Sequence, residues 1–335
     1  MRFPKLLASF FVAMLFTVAS AAQLRQVAII EIPGPPGFGT LAFAGRYLLI
    51  SHTAANTLDI FDPARRRVIA TIKDLSAPRG IAVDEEQGRI YVANSGSNTV
   101  AMINTRTWKI DKKFQLAAPP DSLLLVPQRQ KLYAGSWRQR SLSAIDVESG
   151  AADNIALNGI PQSLAYDRAQ DLLFASLQGD SAVVGLNREN QVARKFQINA
   201  PEPTGLALDP QSSKLYVAVR GAVLALDPQS GAEIARVPSS ESTDTLWYDD
   251  NTHSIYAAAE DGSVNMIRAD GGHYASEDEL KTQVKGHTLA FDSARSYVYM
   301  PGGREGRSKL VILRRVENPA ARGSQPSEAA LANTH

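Results

Sequence analysis

Apolar residues in this chain fall in short alternating runs, each closed by a cluster of Gly, Asn, Asp or Ser. Between residues 79 and 120 the runs read IAVD, RIYVAN, NTVAMIN and IDKKFQL, separated by DEEQG, SGSN and NTRT. Alternation at a period of two, with turn formers between runs, predicts four antiparallel strands joined by tight connections. The unit recurs. Its second run carries a large apolar anchor, and Leu49, Tyr91, Tyr133, Phe174, Tyr216, Tyr256 and Tyr299 follow one another at intervals of 40 to 43 residues. Seven units at that period predict an all-β fold, a seven-bladed β-propeller of four-stranded antiparallel blades. A sheet that is apolar on both faces cannot bury itself, whereas seven stacked round an axis cover one another.

The last unit, from His287, offers only three runs (TLAFD, YVYMP, KLVILRRV), while QVAIIEIP at 26–33 has no unit of its own. Together they make one blade, so the N-terminal strand is expected to pair into the last blade and close the ring, leaving no open edge. Recurrent acidic residues have a structural reading. Asp84, Asp167, Asp209, Asp249 and Asp292 precede the anchor by seven residues, and Asp62, Asn104, Asp146 and Asp227 open the third turn. Such side chains accept hydrogen bonds from backbone amides two residues on, which is a turn-forming role. Trp247 stands where other units have mostly alanine and is expected to fill a packing gap; Trp108 is expected to pack at the surface.

The stretch IYVANSGSNTVAMINTRT at 90–107 resembles the YVTN-type family of 40-residue-repeat β-propeller proteins exported by bacteria. Weaker copies are KLYAGSWRQRSLSAIDVESG at 131–150 and KLYVAVRGAVLALDPQSG at 214–231, so the resemblance covers nearly all of the chain after its leader. It implies the propeller fold. For activity it implies little, because such propellers include ligand-binding modules, enzyme domains and surface proteins.

Three segments are expected: a signal peptide over 1–22, the propeller over 23–318 and a disordered tail over 319–335. Arg2 and Lys5 precede an apolar run at 6–18 and a small-residue cleavage site at Ala19-Ser20-Ala21 or Ser20-Ala21-Ala22, the layout of a secretory leader. The run is shorter than the roughly 20 residues that span a bilayer. A periplasmic or secreted protein without a membrane span is therefore expected, and its closed ring favours a monomer. The chain has no cysteine, which excludes disulfides, thiolate metal sites and thiol catalysis. Loss of Arg2 and Lys5 takes the formal charge from +1 to −1, without the basic excess usual in nucleic-acid binders. The segment 269–286 departs from the repeat and is expected to elaborate an outer edge, with a short helical turn at SEDEL and with Glu277, Asp278 and Glu279 on a solvated face.

Aligned on the anchors, the position that opens each innermost strand reads Gly39, Arg79, Asp121, Gln162, Thr204, Asp244 and His287. Six of these are polar and no two neighbours match, as expected of a ligand-facing ring at the mouth of the central channel. Pro78, Pro120, Pro161 and Pro203 precede four of them and stiffen the approach. The loops between second and third strands reach the same face and add His52, Trp137, Arg138, Arg220 and Arg304 to the candidate ligand-binding set. His52, His287 and Asp244 form a candidate proton-transfer or metal-binding trio. Water-filled polar channel mouths look the same in sequence.

Three function classes follow. The reading carried forward is a non-catalytic binding protein whose partner is a small molecule, an envelope component or another protein, with no catalytic residue, metal or cofactor assigned. The alternative is an enzyme of lactonase or oxidoreductase type, which the family resemblance admits; the five histidines lack close metal-ligand spacing, and there is no C-x-x-C-H haem site. The second alternative is single-stranded DNA or polyanion binding, carried by the Trp and Arg residues of the loops.

Overall fold

The structure is a computed structural model that describes residues 22–317. The expected tail and all but the last residue of the expected signal peptide lie outside the described residues. Seven four-stranded antiparallel sheets are arranged in a ring. Blade 2 shows how the sequence builds one. Pro78–Asp84, Arg89–Asn94, Thr99–Asn104 and Ile110–Gln115 are its strands from inside to outside, matching the four apolar runs. The second strand is almost wholly buried because a neighbour covers each of its faces, while the outermost alternates between exposed and covered positions.

The core lies between the blades. Seven clusters of buried apolar side chains each join two neighbours, from Leu49, Ile60, Val92 and Ile103 between blades 1 and 2 to Ile50, Phe61, Tyr299 and Leu310 between blades 7 and 1. All seven anchors are at most 1% exposed. The strand Ala22–Glu31 pairs antiparallel with Arg307–Glu317 as the outermost strand of blade 7. Bulges recur where the third strand meets the outermost one, at Ile60/Phe61, Met102/Ile103, Gly185/Leu186, Ala225/Leu226 and Met266/Ile267. Each adds twist, which splays the outer edge as a wedge-shaped blade requires.

The acidic turn residues hold their turns. Asp62 Oδ1 accepts from the amides of Ala64 and Arg65, Asp146 Oδ1 from Glu148 and Ser149, and Asp167 Oδ1 from Ala169 and Gln170. Trp108 packs edge-on against Tyr47 with ring centres 5.7 Å apart.

The segment 269–286 differs from expectation. There is no helical turn at SEDEL: His273–Lys281 is a nine-residue strand, the outermost of blade 6. Pairing with Ser263–Asp270 satisfies its backbone, which a single isolated helical turn leaves largely unsatisfied. Of its three acids only Glu279 is exposed, as expected of a solvated face; the other two have partners. Glu277 pairs with Arg268 at 2.8 Å, and Asp278 Oδ2 accepts from the Leu24 amide at 2.6 Å, tying blade 6 to blade 7.

Candidate functional site

The seven positions that open the innermost strands converge on one cavity of about 410 Å³ at the mouth of the channel. Their direction has a local cause. Arg79, Gln162 and Asp244 sit within register shifts between first and second strands, at Pro78/Ile81, Pro161/Leu164 and Thr243/Thr245. A bulge re-aims the side chain it carries, here toward the axis. Neighbouring first strands are also tied directly. The Thr40 amide and hydroxyl both donate to the Arg79 carbonyl at 3.1 Å, the Gly80 amide donates to the Asp121 carbonyl at 2.8 Å, and the Thr204 hydroxyl donates to the Thr243 carbonyl at 2.9 Å. At Gly39 the approach is so close that a Cβ would lie 2.6 Å from Arg79 Cα. Glycine is required there for packing, and as a result blade 1 presents no side chain at the rim.

Two charged pairs cross the rim. Arg79 Nη1 lies 3.3 Å from Asp121 Oδ1, and His287 Nδ1 lies 2.6 Å from Asp244 Oδ2. The far nitrogen of His287 faces the Phe38 carbonyl at 3.3 Å, so both ring nitrogens meet acceptors. The hydrogen bond to Asp244, opposed by partial burial and aided by that carboxylate's charge, holds the imidazole above its ordinary value. Burial in the cavity wall lifts the Asp121 carboxyl against the pull of Arg79, and the charge of Asp244 adds to the lift.

The raised His287 value has a consequence for stability. The charged ring contributes fully below about pH 6.5, its unfolded value, and the contribution is lost as pH rises through the folded value. Asp244, Asp121 and Glu260 face it as acids, Arg79 and Lys285 as bases. The ring is 42% exposed, so solvent screening keeps the effect small. Between pH 6.5 and 8.5 the wild type should lose about 1–2 °C of Tm relative to His287→Gln, read from paired thermal scans. Identical slopes in the two proteins would remove this group from the pH response.

Below the rim lies a ring that the sequence reading missed. Two residues further along each first strand stand Leu41, Ile81, Leu123, Leu164, Leu206, Leu246 and Leu289, and the first six line the cavity. The signal was in the repeat, an aliphatic residue at the same place in every unit. Those six share the cavity wall with the polar ring. The cavity is therefore a cup with a polar rim and an aliphatic floor. Trp247 lines it as well as packing between blades.

The loop residues divide. His52 is not at the mouth: it is fully buried, stacked on Phe38 at 4.4 Å, with Nδ1 2.9 Å from Asp59 Oδ2 and Nε2 2.7 Å from the Pro35 carbonyl. The segment between the strands Ala22–Glu31 and Leu41–Ala44 folds over it, so the candidate trio does not form. Asp244 and His287 meet, with Phe38 between them and His52. Trp137 is 40% exposed with the Arg138 guanidinium 5.0 Å above its ring, and neither lines the cavity. Arg220 pairs with Glu202 at 2.8 Å in an adjoining depression, and Arg304 lies 3.6 Å from Glu305. Among the described residues no group of three His, Asp or Glu is placed to hold a metal ion.

Residues 75–101 match the NHL repeat, a stretch that covers the first two strands of blade 2 and the start of the third. A search of the curated proteins returns no match. Among solved structures the chain is similar to Kuenenia stuttgartiensis hydrazine synthase, at 13% identity and a TM-score of 0.74, over 87% of this chain and 97% of that one. At that identity the likeness is one of fold. Repeat match and architecture agree that this is a β-propeller repeat protein.

Proposed function

We propose that this protein is an exported, non-catalytic propeller of YVTN type that binds a small molecule at its channel mouth. The observation that carries the reading is the cup itself. Six first strands give a diversified polar rim and six an aliphatic floor, around a volume in the range of small-molecule sites. A few polar groups over an apolar surface fix a ligand's orientation while burial supplies affinity. The cations of the outer loops favour polyanion binding less, because Arg220 and Arg304 already sit beside Glu202 and Glu305.

Trp247 makes the test direct. Its indole lines the cavity, so a ligand that fills the cup should change its fluorescence saturably, and Trp247→Phe should abolish the change. The titration set is divalent metals, sugar lactones, quinones, aliphatic acids and single-stranded DNA, each against wild type and an Asp244→Asn/His287→Gln variant. Binding weakened about tenfold or more in that variant supports a site at the rim. Equal binding by both proteins moves the site elsewhere, and turnover of a bound lactone or quinone replaces the binding reading with the enzymatic one.

A further inference from the structure

The rim charges are not scattered. Going round the ring from blade 6 they read Asp244, His287, Gly39, Arg79 and Asp121, with the neutral Gln162 and Thr204 completing the circle. The two basic side chains flank the one position without a side chain, and each acid lies on the far side of its own base. A second hollow of about 510 Å³ shares Phe38, Arg79 and His287 with the cup and is walled by Lys285 as well. Its remaining lining is mostly small residues, which leave room for a head group.

The basic groups there are incompletely used. Arg79 meets Asp121 only through Nη1 at 3.3 Å, and its buried Nε has no hydrogen-bond partner among the described residues. Lys285 is exposed, and its amine has no partner among the described residues. Beside His287, Thr288 lines the cup; its side chain is 2% exposed and its hydroxyl has no partner among the described residues. Donors left over at a gap between positive charges suit an anion, and the aliphatic ring two residues below suits an alkyl chain.

We propose that the cup takes an aliphatic monocarboxylate, its head group over Gly39 between Arg79, Lys285 and His287 and its chain on the ring of leucines below. This rests on the channel-mouth binding proposed above and adds the ligand class. Arg79 and Lys285 donate to the carboxylate oxygens. His287, whose nitrogens already face Asp244 and Phe38, bounds the head-group site on its other side. The polarity of the rim orients the ligand, because the opposite arc carries Gln162 and Thr204 between two acids.

Isothermal titration of the full chain with octanoate, octanamide and octylamine separates the outcomes. Octanoate should bind at least about tenfold tighter than octanamide, whose size is the same but whose charge is absent. Arg79→Gln should lose about tenfold in octanoate affinity. Lys285→Gln should lose about threefold, as an exposed charge does, and, having no partner to orphan, it should fold as the wild type does. Lys73→Gln, after the outer strand of blade 1, should change nothing. Octanamide or octylamine binding as tightly as octanoate would overturn the carboxylate assignment while leaving a ligand site in the cup. Unchanged octanoate affinity in both the Arg79 and Lys285 variants would overturn it equally. Silence from all three compounds overturns it too, and silence from the whole Trp247 titration set as well removes the channel-mouth reading with it.

Discussion

His52→Ala should destabilise the protein by about 3–5 kcal/mol, far more than the same change at His287. The ring of His52 is the only partner of Asp59 Oδ2 among the hydrogen bonds of the described residues, at 2.9 Å, while Oδ1 is held by the Thr71 hydroxyl at 2.9 Å and more loosely by Thr57. Asp59 is 3% exposed. Removing the imidazole leaves a carboxylate oxygen buried and unpaired, orphans the Pro35 carbonyl and opens a void beside the Phe38 ring. Chemical denaturation would read the loss as a lower midpoint at unchanged slope. A His52→Leu/Asp59→Val double variant, which removes both partners together, should recover much of it. His287→Ala breaks a half-exposed pair and should cost less than about 1 kcal/mol. Equal losses at the two histidines would mean that burial does not distinguish them, and His52 would return to the candidate ligand set.

The contrast between those histidines marks how far the sequence could be read. Both stand at blade ends on the face that carries the channel mouth, and both have an Asp partner. His287 was legible because it belongs to a position compared across seven units, where the absence of a shared residue type is itself a signal. His52 was not, because its burial is decided by the segment containing Pro35 and Phe38, which belongs to no repeat and has no periodic pattern to read. The bulges at Pro78/Ile81, Pro161/Leu164 and Thr243/Thr245 were likewise invisible. They shift backbone pairing without leaving a consistent residue type behind. The leucine ring was missed for the opposite reason: an invariant apolar position reads as core, and only the cup's geometry shows that six of its members also face a cavity. At SEDEL a helical turn was expected, and cross-strand pairing with Ser263–Asp270 prevailed.

A chain beginning at Pro33 should not accumulate as a soluble, cooperatively folding monomer, whereas one beginning at Ala22 should. The deleted strand Ala22–Glu31 pairs along most of Arg307–Glu317, from Ala22 opposite Glu317 to Glu31 opposite Lys309. Leu24 is buried in the cluster between blades 6 and 7, and Ala28 and Ile30 pack against the one between blades 7 and 1. The Leu24 amide bonds Asp278 of blade 6, and Lys309 Nζ reaches Glu31 at 2.7 Å. Ile32, lost with the strand, is 1% exposed and its amide donates to the Ser308 carbonyl at 3.0 Å. Each buried Leu or Ile contributes about 1.5–3 kcal/mol, and ordering the segment costs about 1–2 kcal/mol per residue, so much of the burial is offset. What is not offset is the state left behind. An eleven-residue strand then presents unpaired amides and carbonyls beside uncovered apolar faces of two blade interfaces, an edge that recruits other chains. Against a total stability of about 5–15 kcal/mol, the expected result is aggregation or a noncooperative transition, read by size-exclusion chromatography and denaturation. A synthetic peptide of residues 22–33 supplied during refolding should restore part of the soluble fraction. If the shortened chain instead elutes as a monomer and unfolds at the same denaturant midpoint, the ring holds together through its blade interfaces alone and the N-terminal strand is dispensable.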